Sequence, residues 1–414
     1  ADLDVTEIEG FDNLHEPRGI LLDGMRRAAS LWEACRSFYL VNGSTGGILA
    51  GLRALSRAGD TVIMQRECHL SVHQGVGLLN LRPVYLYPDM VEEYGISSSL
   101  SAKTLDRCLT AHPHARLLVL SCPSYDGVLS DLESLVSLAH QRGLKVLVDA
   151  AHGAHLGLGT FFPGGAVKSG ADIVIQSLHK TLPSLTQTAI AHAGSEAAAC
   201  LLEEQLDLFQ TSSPSYLLMA SIDGCVRLLE ERGDELFEAW HERLGRFCRE
   251  ARGLQRFTIF GLNGLPGGVF GHDPSKILIG CARSGMSGYR LLHTLREGYG
   301  IDLEMAGHRS ALAMTGMGDA EDALSRLAMA LKDIEQNTAP GELPPDDALP
   351  LAEAILSPGE ALERDHELIP IEAAAGRVCA EYVTAYPPGI PLLVPGEAIT
   401  ARIVTAAGRG ESLM

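Results

Sequence analysis

The sequence predicts an α/β fold built on a large, mostly parallel β-sheet with helices on both faces. The alternation of two kinds of segment along the chain supports this prediction. Between about residues 37 and 193, short runs rich in β-branched residues alternate with segments of helical periodicity. Such alternation is typical of parallel sheets, because neighbouring parallel strands need a crossover that is usually a helix. The chain has 414 residues, which is enough for two or three domains and a large core.

Seven strand candidates follow one another in this region. They are SFYLVN (37–42), TVIM (61–64), PVYLY (83–87), RLLVLSC (116–122), KVLVDA (145–150), DIVIQS (172–177) and TAIAHA (188–193). Amphipathic segments that end in glycine, such as GGILAGLRALSRAG and DLESLVSLAHQRG, predict helices between them. Ligands of such sheets bind at the carboxyl ends of the strands, so polar residues that directly follow a strand are candidates for function.

The rest of the chain predicts further domains. A helix-rich stretch (195–254) completes a large domain over residues 1–254, and a smaller α/β pattern predicts a second domain over 255–336. The Pro- and Asp-rich segment 337–350 is typical of a linker, and residues 351–414 form a C-terminal domain. The apolar run YPPGIPLLVPGE contains four prolines, which argue against regular structure, while its apolar side chains predict that it packs against some part of the protein.

Composition excludes several classes of protein. With 33 Lys and Arg against 52 Asp and Glu, the formal net charge is −19, so the chain should repel nucleic acids and anionic membrane surfaces. The nine cysteines include no C-x-x-C pair, which predicts free thiols in a reducing compartment and no metal site. We find no signal peptide and no apolar run long enough for a membrane span, so we expect a cytoplasmic protein.

The first candidate site is the loop VNGSTGG at 41–47, between a predicted strand and a predicted helix. Gly43 allows close backbone approach to a ligand, Ser44 and Thr45 offer hydroxyl groups, and a helix N-terminus attracts phosphate. The alternative is an ordinary tight turn in which Ser or Thr caps the helix.

Two further candidates also follow strands. Asp149 ends the strand of KVLVDAAH (145–152), and His152 lies three residues on. In IQSLHKTL (175–182), Lys180 follows a strand among apolar and hydroxyl neighbours, and a partly desolvated lysine is a good imine-forming amine. The alternatives are an Asp that satisfies loop amides and a Lys on the solvated surface.

Taken together, these three segments match what pyridoxal 5'-phosphate requires. The loop would bind the phosphate, Asp149 would keep the pyridine nitrogen protonated, and Lys180 would bind the aldehyde as an imine. In ECHLS (67–71), His69 also follows a strand and could lie over the face of the cofactor ring, or else be a loop histidine bonded to the backbone.

These motifs resemble the Orn/Lys/Arg decarboxylase family of fold-type I pyridoxal-phosphate enzymes. The similarity covers about residues 3–400, and it is carried by the segments FDNLHEPRGIL, VNGSTGG, ECHLSVHQG, SCPSYDGVLSD, LVDAAHGAH, SLHKTLPSLTQ and YPPGIPLLVPGE. Without an N-terminal response-regulator-like domain, the chain looks like the shorter form of the family. Three features depart from the family pattern: no P-G-H-K-like segment precedes the sheet, and Ala150 and Leu70 stand where an acidic residue and a lysine are common.

The resemblance implies the roles of individual residues. Lys180 would be the Schiff-base lysine, Asp149 the pyridinium partner, and His69 the residue stacked on the ring. His152 would lie near the imine. The remaining cofactor contacts would come from Gly43, Ser44, Thr45, Ser177, His179 and, in the segment TSSPSY, Ser213.

The resemblance also implies a reaction and an assembly. The substrate would be arginine, lysine or ornithine, and its decarboxylation would give an amine of the kind used in polyamine synthesis. Either His69 or Lys180 would return a proton to Cα. The protein would be a homodimer, or a higher homo-oligomer, with active sites at the interface. Glu397 could bind the cationic side chain of the substrate, although a surface glutamate is the alternative.

Two other functions remain open at this point. An aminotransferase or lyase on the same cofactor would need an arginine for the substrate carboxylate, for which Arg283 and Arg309 are available. A non-catalytic paralogue would bind the cofactor or a partner without turnover.

Overall fold

A seven-stranded sheet forms the centre of the molecule. The computed structural model describes residue 5 and residues 8–345, 352–385 and 389–408. In spatial order the strands are β1 (Arg36–Leu40), β10 (Ala189–Ala193), β9 (Ile173–Ser177), β8 (Lys145–Asp149), β6 (Leu117–Ser121), β2 (Thr61–Gln65) and β3 (Arg82–Leu86). All seven predicted strands are present, with ends that differ from the prediction by one or two residues.

The sheet is parallel from β9 to β3, and only β10 runs antiparallel to its neighbours β1 and β9. The register aligns the carboxyl ends of the parallel strands: Ser121 of β6 pairs with Asp149 of β8, which in turn pairs with Ile175 of β9. The predicted fold class, a mostly parallel α/β sheet, is therefore confirmed.

Helices cover both faces of this sheet. They are α1 (Ile20–Trp32), α2 (Gly43–Leu55), α3 (Leu70–Leu78), α4 (Ala102–Ala111), α5 (Leu132–Gln141), α6 (Leu178–Thr181), α7 (Glu196–Phe209) and α8 (Tyr216–Ala251), with a 3₁₀ turn at Ala166–Ser169. Successive side chains of a strand point to opposite faces, so Leu117 and Leu118 of β6 lie in two different apolar clusters. Two cores, one on each face, thus bury the central strands completely.

A second, antiparallel sheet of four strands lies beside the first. Its order is β11 (Thr258–Ile259), β13 (Lys276–Gly280), β15 (Ser310–Met314) and β14 (Met305–Ala306), and it packs with α9 (Gly288–Tyr299) and α10 (Ala323–Asn337). The short strand β12 (Gly271–His272) pairs with β7 (Val128–Leu129), and β4 (Met90–Val91) pairs with β5 (Ile96–Ser97). Because β7 and β12 belong to the two different regions, their pairing holds the start of β13 against the loop after β6.

The C-terminal region packs against the large sheet region. It contains α11 (Pro358–Leu362), a 3₁₀ turn (Ile371–Ala373), the hairpin of β16 (Val383–Ala385) and β17 (Ile390–Leu393), and α12 (Ala401–Gly408). The expectation that the Pro-rich run has no regular structure was wrong for 390–393, because Pro391 is accommodated in a two-stranded hairpin where few ladder bonds are lost. Its buried side chains Leu393 and Val394 show the predicted packing, and residues 386–388 and 346–351 lie outside the described part of the chain.

Two further features concern the described residues as a whole. No helix among them has the length and apolar character needed to cross a bilayer. All nine cysteines are free thiols, of which five are buried.

Two residues on the sheet-facing side of helix α2 are glycines, and they allow the helix to lie close to the sheet. A Cβ atom on Gly47 would be 2.5 Å from Leu40 Cδ1 and 3.1 Å from Ile175 Cγ2, and one on Gly51 would be 2.9 Å from Leu147 Cδ1. These contacts are with buried side chains of β1, β8 and β9, which have little room to move.

We therefore expect Gly47→Ala to destabilise the protein by about 1–3 kcal/mol through overpacking, although alanine favours helix. Urea unfolding monitored by circular dichroism measures the change. Gly298→Ala is the matched control, since Gly298 is an exposed helical glycine with open space around it. Equal effects of the two substitutions would contradict the packing argument.

Candidate active site

A cleft opens at the carboxyl edge of the parallel strands. Its empty volume, counted together with the adjoining open solvent, is about 660 Å³. Most of the residues that line it lie at or just after the ends of β2, β6, β8 and β9 or begin a helix, and Ile390 comes from the C-terminal hairpin. The lining residues are Ser44, Glu67, His69, Ser71, Ser121, Pro123, Ser124, Tyr125, Asp126, Asp149, Ala151, His152, Lys180 and Ile390.

One end of the cleft is suited to an anion. Gly43 begins α2 with φ +70°, and Ser44 lies in the first turn of that helix. Ser177, which is fully buried at the end of β9, donates a hydrogen bond from its Oγ to Ser44 Oγ over 2.9 Å. The first amides of a helix have no partners within it and carry a partial positive charge. Two hydroxyl groups and a helix N-terminus therefore converge where the sequence predicts phosphate binding.

Asp149 and Lys180 lie in the middle of the cleft. Asp149 is 7% exposed, and its Oδ1 accepts a hydrogen bond from the Ala151 amide over 3.1 Å. Lys180 projects from α6, the single turn that follows β9. Burial lowers the pKa of Lys180, while the nearby carboxylates of Asp149 and Glu304 act in the opposite direction. A lowered pKa increases the fraction of this lysine that is present as the nucleophilic free amine.

His69 forms a wall of the cleft. It caps α3, and its Nδ1 accepts a hydrogen bond from the Ser71 amide over 3.2 Å and lies 2.9 Å from Ser71 Oγ. These two contacts fix the orientation of the imidazole plane. Burial lowers the pKa of His69, so the ring is neutral at physiological pH and presents a flat aromatic surface to a ligand.

His152 contacts two lysines, and the second of these was missed at the level of sequence. His152 Nε2 is 2.9 Å from Lys180 Nζ, and His152 Nδ1 is 2.7 Å from Lys276 Nζ. Lys276 begins β13 and is only 1% exposed. Burial lowers its pKa to about 8, and burial together with the two lysines holds the pKa of His152 well below its usual value. An apolar strand that begins with lysine, KILIG, is the only signal in the sequence that pointed to this residue.

Two carboxyl groups of the cleft were also missed. Burial raises the pKa of Glu67 to about 7, and the nearby Asp126 carboxylate acts in the same direction. Burial also raises the pKa of Asp126 to about 6, although Lys276 acts in the opposite direction. Asp126 Oδ1 is buried without a hydrogen-bond partner. Both residues lie inside segments that carry the family resemblance, ECHLS and SCPSYDG, but neither directly follows a strand. A buried carboxyl pair of this kind would be stabilised by a cation between them.

The structure does not bring every predicted site residue to the cleft. Thr45 is exposed beside Ser44, and Ser213 is exposed on the loop before α8. His179 lies next to Lys180, but its Nδ1 bonds the Thr188 carbonyl oxygen over 2.9 Å. These three residues are not among those lining the cleft, and neither are Gly43 and Ser177. The fully buried Ser177 is connected to the lining by its hydrogen bond to Ser44.

Glu397 is also outside the cleft, where it forms a buried ion pair. It is 2% exposed, and its two oxygens accept hydrogen bonds from Arg66 Nε (3.1 Å) and Nη2 (3.0 Å). Arg66 also donates to the carbonyl oxygens of Pro391 and Leu392. Glu397 therefore fixes the C-terminal region to the end of β2, and it is neither a surface glutamate nor a group that faces a substrate in the cleft.

The residues of the cleft fit pyridoxal phosphate. The Ser44–Ser177 hydroxyl pair and the N-terminus of α2 suit its phosphate, Lys180 its aldehyde, Asp149 its ring nitrogen and His69 its ring face. Among the described residues, no cluster of three or more His, Cys, Asp or Glu side chains is arranged to hold a metal ion. The donor set is thus that of an organic cofactor with one anionic end.

Comparison with known proteins agrees with this arrangement. Residues 1–322 match the family model for the major domain of Orn/Lys/Arg decarboxylases, and residues 348–406 match the model for their C-terminal domain. The arginine decarboxylase of Bacillus subtilis is 32% identical over 404 residues, which are 96% of this chain and 82% of that protein.

Two solved structures illustrate the likeness of the fold. Lysine decarboxylase A from Pseudomonas aeruginosa matches with a TM-score of 0.81 at 19% identity, over 99% of this chain and 69% of that one. The alanine–glyoxylate aminotransferase of Nostoc matches with a TM-score of 0.60 at 14% identity, over 76% of this chain and 86% of that one. The fold is therefore that of fold-type I pyridoxal-phosphate enzymes.

The raised pKa of Glu67 predicts a pH-dependent stability. Its folded-state pKa of about 7 lies above the ordinary value of 4.5, so the folded protein binds this proton more tightly than the unfolded chain does. The stabilisation is complete below about pH 4.5 and is lost as the pH rises through 7. We expect the melting temperature of Glu67→Gln, relative to that of the unmodified chain, to increase between pH 5 and pH 8.

Differential scanning calorimetry of the ligand-free chain checks this expectation. Glu92→Gln, at an exposed position, is the control for removing one negative charge and should show a constant difference across the same range. A difference for Glu67→Gln that stays constant or falls with pH would show that Glu67 is ionised in the folded protein.

Proposed function

The chain belongs to the Orn/Lys/Arg decarboxylase family, and on this basis we propose that it uses pyridoxal phosphate to decarboxylate arginine to the corresponding amine. The observation that carries the proposal is the pair of buried carboxyls, Glu67 and Asp126, in the same cleft as Asp149 and Lys180. A site for an α-amino acid that also holds two carboxyls favours a substrate with a cationic side chain.

Arginine suits this pair of carboxyls better than lysine or ornithine. A guanidinium is planar, presents several N–H donors and is weakly hydrated, so it can bridge two carboxylates at a low desolvation cost. An ammonium group is compact and strongly hydrated, and its burial costs more. The arginine decarboxylase of Bacillus subtilis is also more similar to this chain than the constitutive lysine decarboxylase of Escherichia coli, which is 23% identical.

Each residue of the cleft has a defined task in this proposal. Ser44, Ser177 and the N-terminus of α2 bind the phosphate, and Lys180 binds the aldehyde carbon. His69 covers one face of the ring and excludes water from it. When bound, pyridoxal phosphate supplies an electron-poor ring that accepts the electron pair left behind by departing CO₂. Asp149, buried at the end of β8, holds the proton on the ring nitrogen that makes the ring electron-poor.

Three other expectations from the sequence stay predictions. They are a homodimer with active sites at its interface, a cytoplasmic location, and domain boundaries at residues 254, 336 and 350. Of these three expectations, only the homodimer affects whether the purified protein can decarboxylate arginine.

We expect the chain supplied with pyridoxal phosphate to develop an absorbance band near the visible edge and to release CO₂ from arginine. Lys180→Ala should lose the band and reduce CO₂ release by roughly a thousandfold or more, because the amine that binds the cofactor is removed. Release of ¹⁴CO₂ from carboxyl-labelled arginine, lysine and ornithine measures the reaction.

The outcomes separate the open functions. Release from lysine or ornithine alone would overturn arginine as the substrate. A band with no CO₂ from any basic amino acid would contradict decarboxylation and favour an aminotransferase, a lyase or a non-catalytic paralogue. No band at all would contradict the assignment of the cofactor site.

The substrate-binding carboxyls can be tested separately from the chemistry. We expect Glu67→Gln and Asp126→Asn each to raise the KM for arginine by about tenfold, since each loses one charge-assisted hydrogen bond, while kcat falls less. Steady-state kinetics give the two parameters, with Glu92→Gln as the matched control. An unchanged KM with a reduced kcat would place these carboxyls in the chemical step instead.

A further inference from the structure

A largely buried imidazole on the wall of the cleft joins two lysine amines. His152 is 8% exposed and lies with Nε2 2.9 Å from Lys180 Nζ and Nδ1 2.7 Å from Lys276 Nζ. Lys180 lines the cleft, whereas Lys276 lies on the far side of the imidazole at 1% exposure. The three groups form a continuous chain of hydrogen bonds from the cleft into the protein interior.

Hydrogen-bond complementarity restricts the protonation states of this chain. A neutral imidazole has one N–H donor and one acceptor nitrogen, and an ammonium group can only donate. Two ammonium groups therefore cannot both bond to the same neutral ring. A protonated ring is excluded as well, because burial and the two lysines strongly disfavour a third positive charge. The geometry consequently requires at least one of the two lysines to be a free amine, which accepts the ring N–H.

Charged groups face both ends of this hydrogen-bonded series of Lys180, His152 and Lys276. Asp273, which is fully buried, faces Lys276 from the loop before β13, together with Asp126 from the loop after β6. The ring of Tyr125 lies 5.5 Å from Lys276 Nζ. Besides Tyr125, the charged or titratable groups of the described residues that act on the two amines or on their imidazole neighbours are His69, Asp126, Asp149, His152, His179, His272, Asp273 and Glu304.

We propose that Lys276 is a positioning residue that acts through His152 and stores the proton that Lys180 must lose to become a nucleophile. Lys180 ammonium gives a proton to His152 Nε2 while the Nδ1 proton of His152 passes to the amine of Lys276. One N–H bond breaks and one forms at each step, and the total charge of the three groups stays the same. Asp126 and Asp273 stabilise the ammonium of Lys276 that results.

The consequence for catalysis rests on the proposed function. Lys180 can bind an aldehyde only as a free amine, and it must take up a proton again when it is released. Proton transfer through His152 to and from Lys276, which we call the relay, lets Lys180 lose and regain its proton without a proton crossing the cleft. Its existence in the protein does not depend on which amino acid is the substrate, so the two proposals can fail independently.

The test measures the free-amine fraction of Lys180 in the full chain without cofactor. Trace acetylation by acetic anhydride, followed by peptide mass spectrometry, gives the labelling rate of Lys180 as a function of pH, since only the free amine reacts. In Lys276→Met, Lys180 can no longer pass its proton through His152 to a second lysine. We therefore expect the pH midpoint of Lys180 labelling to rise by about one unit and labelling at pH 7 to fall about tenfold. In Lys276→Arg a permanent cation remains, and the midpoint should stay at or below that of the unmodified chain.

Two further variants distinguish the relay from a loss of structure or a simple field effect. Lys103→Met, at an exposed position, should leave the labelling curve of Lys180 unchanged. In a His152→Ala background, Lys276→Met should change the midpoint much less, because the bridge between the amines is gone. Circular dichroism identifies any variant that does not fold. If Lys276→Met does not fold, the labelling curve of Lys276→Arg decides the outcome.

Three results would overturn the proposal. The first is a pH midpoint of Lys180 labelling that is unchanged in Lys276→Met, and the second is a midpoint that rises in Lys276→Arg. The third is a shift of the midpoint by Lys276→Met that is equally large with and without His152. Decarboxylation assays play no part in this test, so a failure of the proposed substrate leaves its result intact.

Discussion

The alignment of parallel strands at one edge of the large sheet is the constraint on which the site depends. In-register pairing brings Ser121 beside Asp149 and places the end of β9, with Ser177 and then Lys180, next to them. The strands are buried on both faces, so a shift in register would move every core side chain. Stability of the core and geometry of the cleft are therefore maintained by the same strand pairing.

The cleft combines groups of opposite charge in a setting that is largely removed from water. Glu67 and Asp126 have raised pKa values because of burial, and Lys180 and Lys276 have lowered pKa values for the same reason. Burial thus moves the pKa of each of these groups from its ordinary value towards neutrality. This property suits a site in which an amine must lose and regain a proton beside a cationic substrate.

The sequence predicted the elements and residues that depend on local pattern. The seven strands were found from β-branched runs, and Ser44, Asp149 and Lys180 were identified because each follows a strand end. Lys276 could not be found in this way, since it begins a strand of the second sheet and reaches His152 only through tertiary packing. For Glu397 the sequence suggested a contact with the substrate or a place on the surface. Its ion pair was not predicted because its partner Arg66 lies 331 positions earlier in the chain, a separation that no local pattern reveals.

The most direct test of the account is to locate the lysine that binds the cofactor. Two lysine amines flank His152, and of these two the structure places only Lys180 on the wall of the cleft. Borohydride reduction of the protein with pyridoxal phosphate, followed by digestion and peptide mass spectrometry, fixes the cofactor to the lysine that holds it. The account predicts the added pyridoxyl phosphate mass on the peptide that contains Lys180. The same mass on the peptide that contains Lys276 would contradict it.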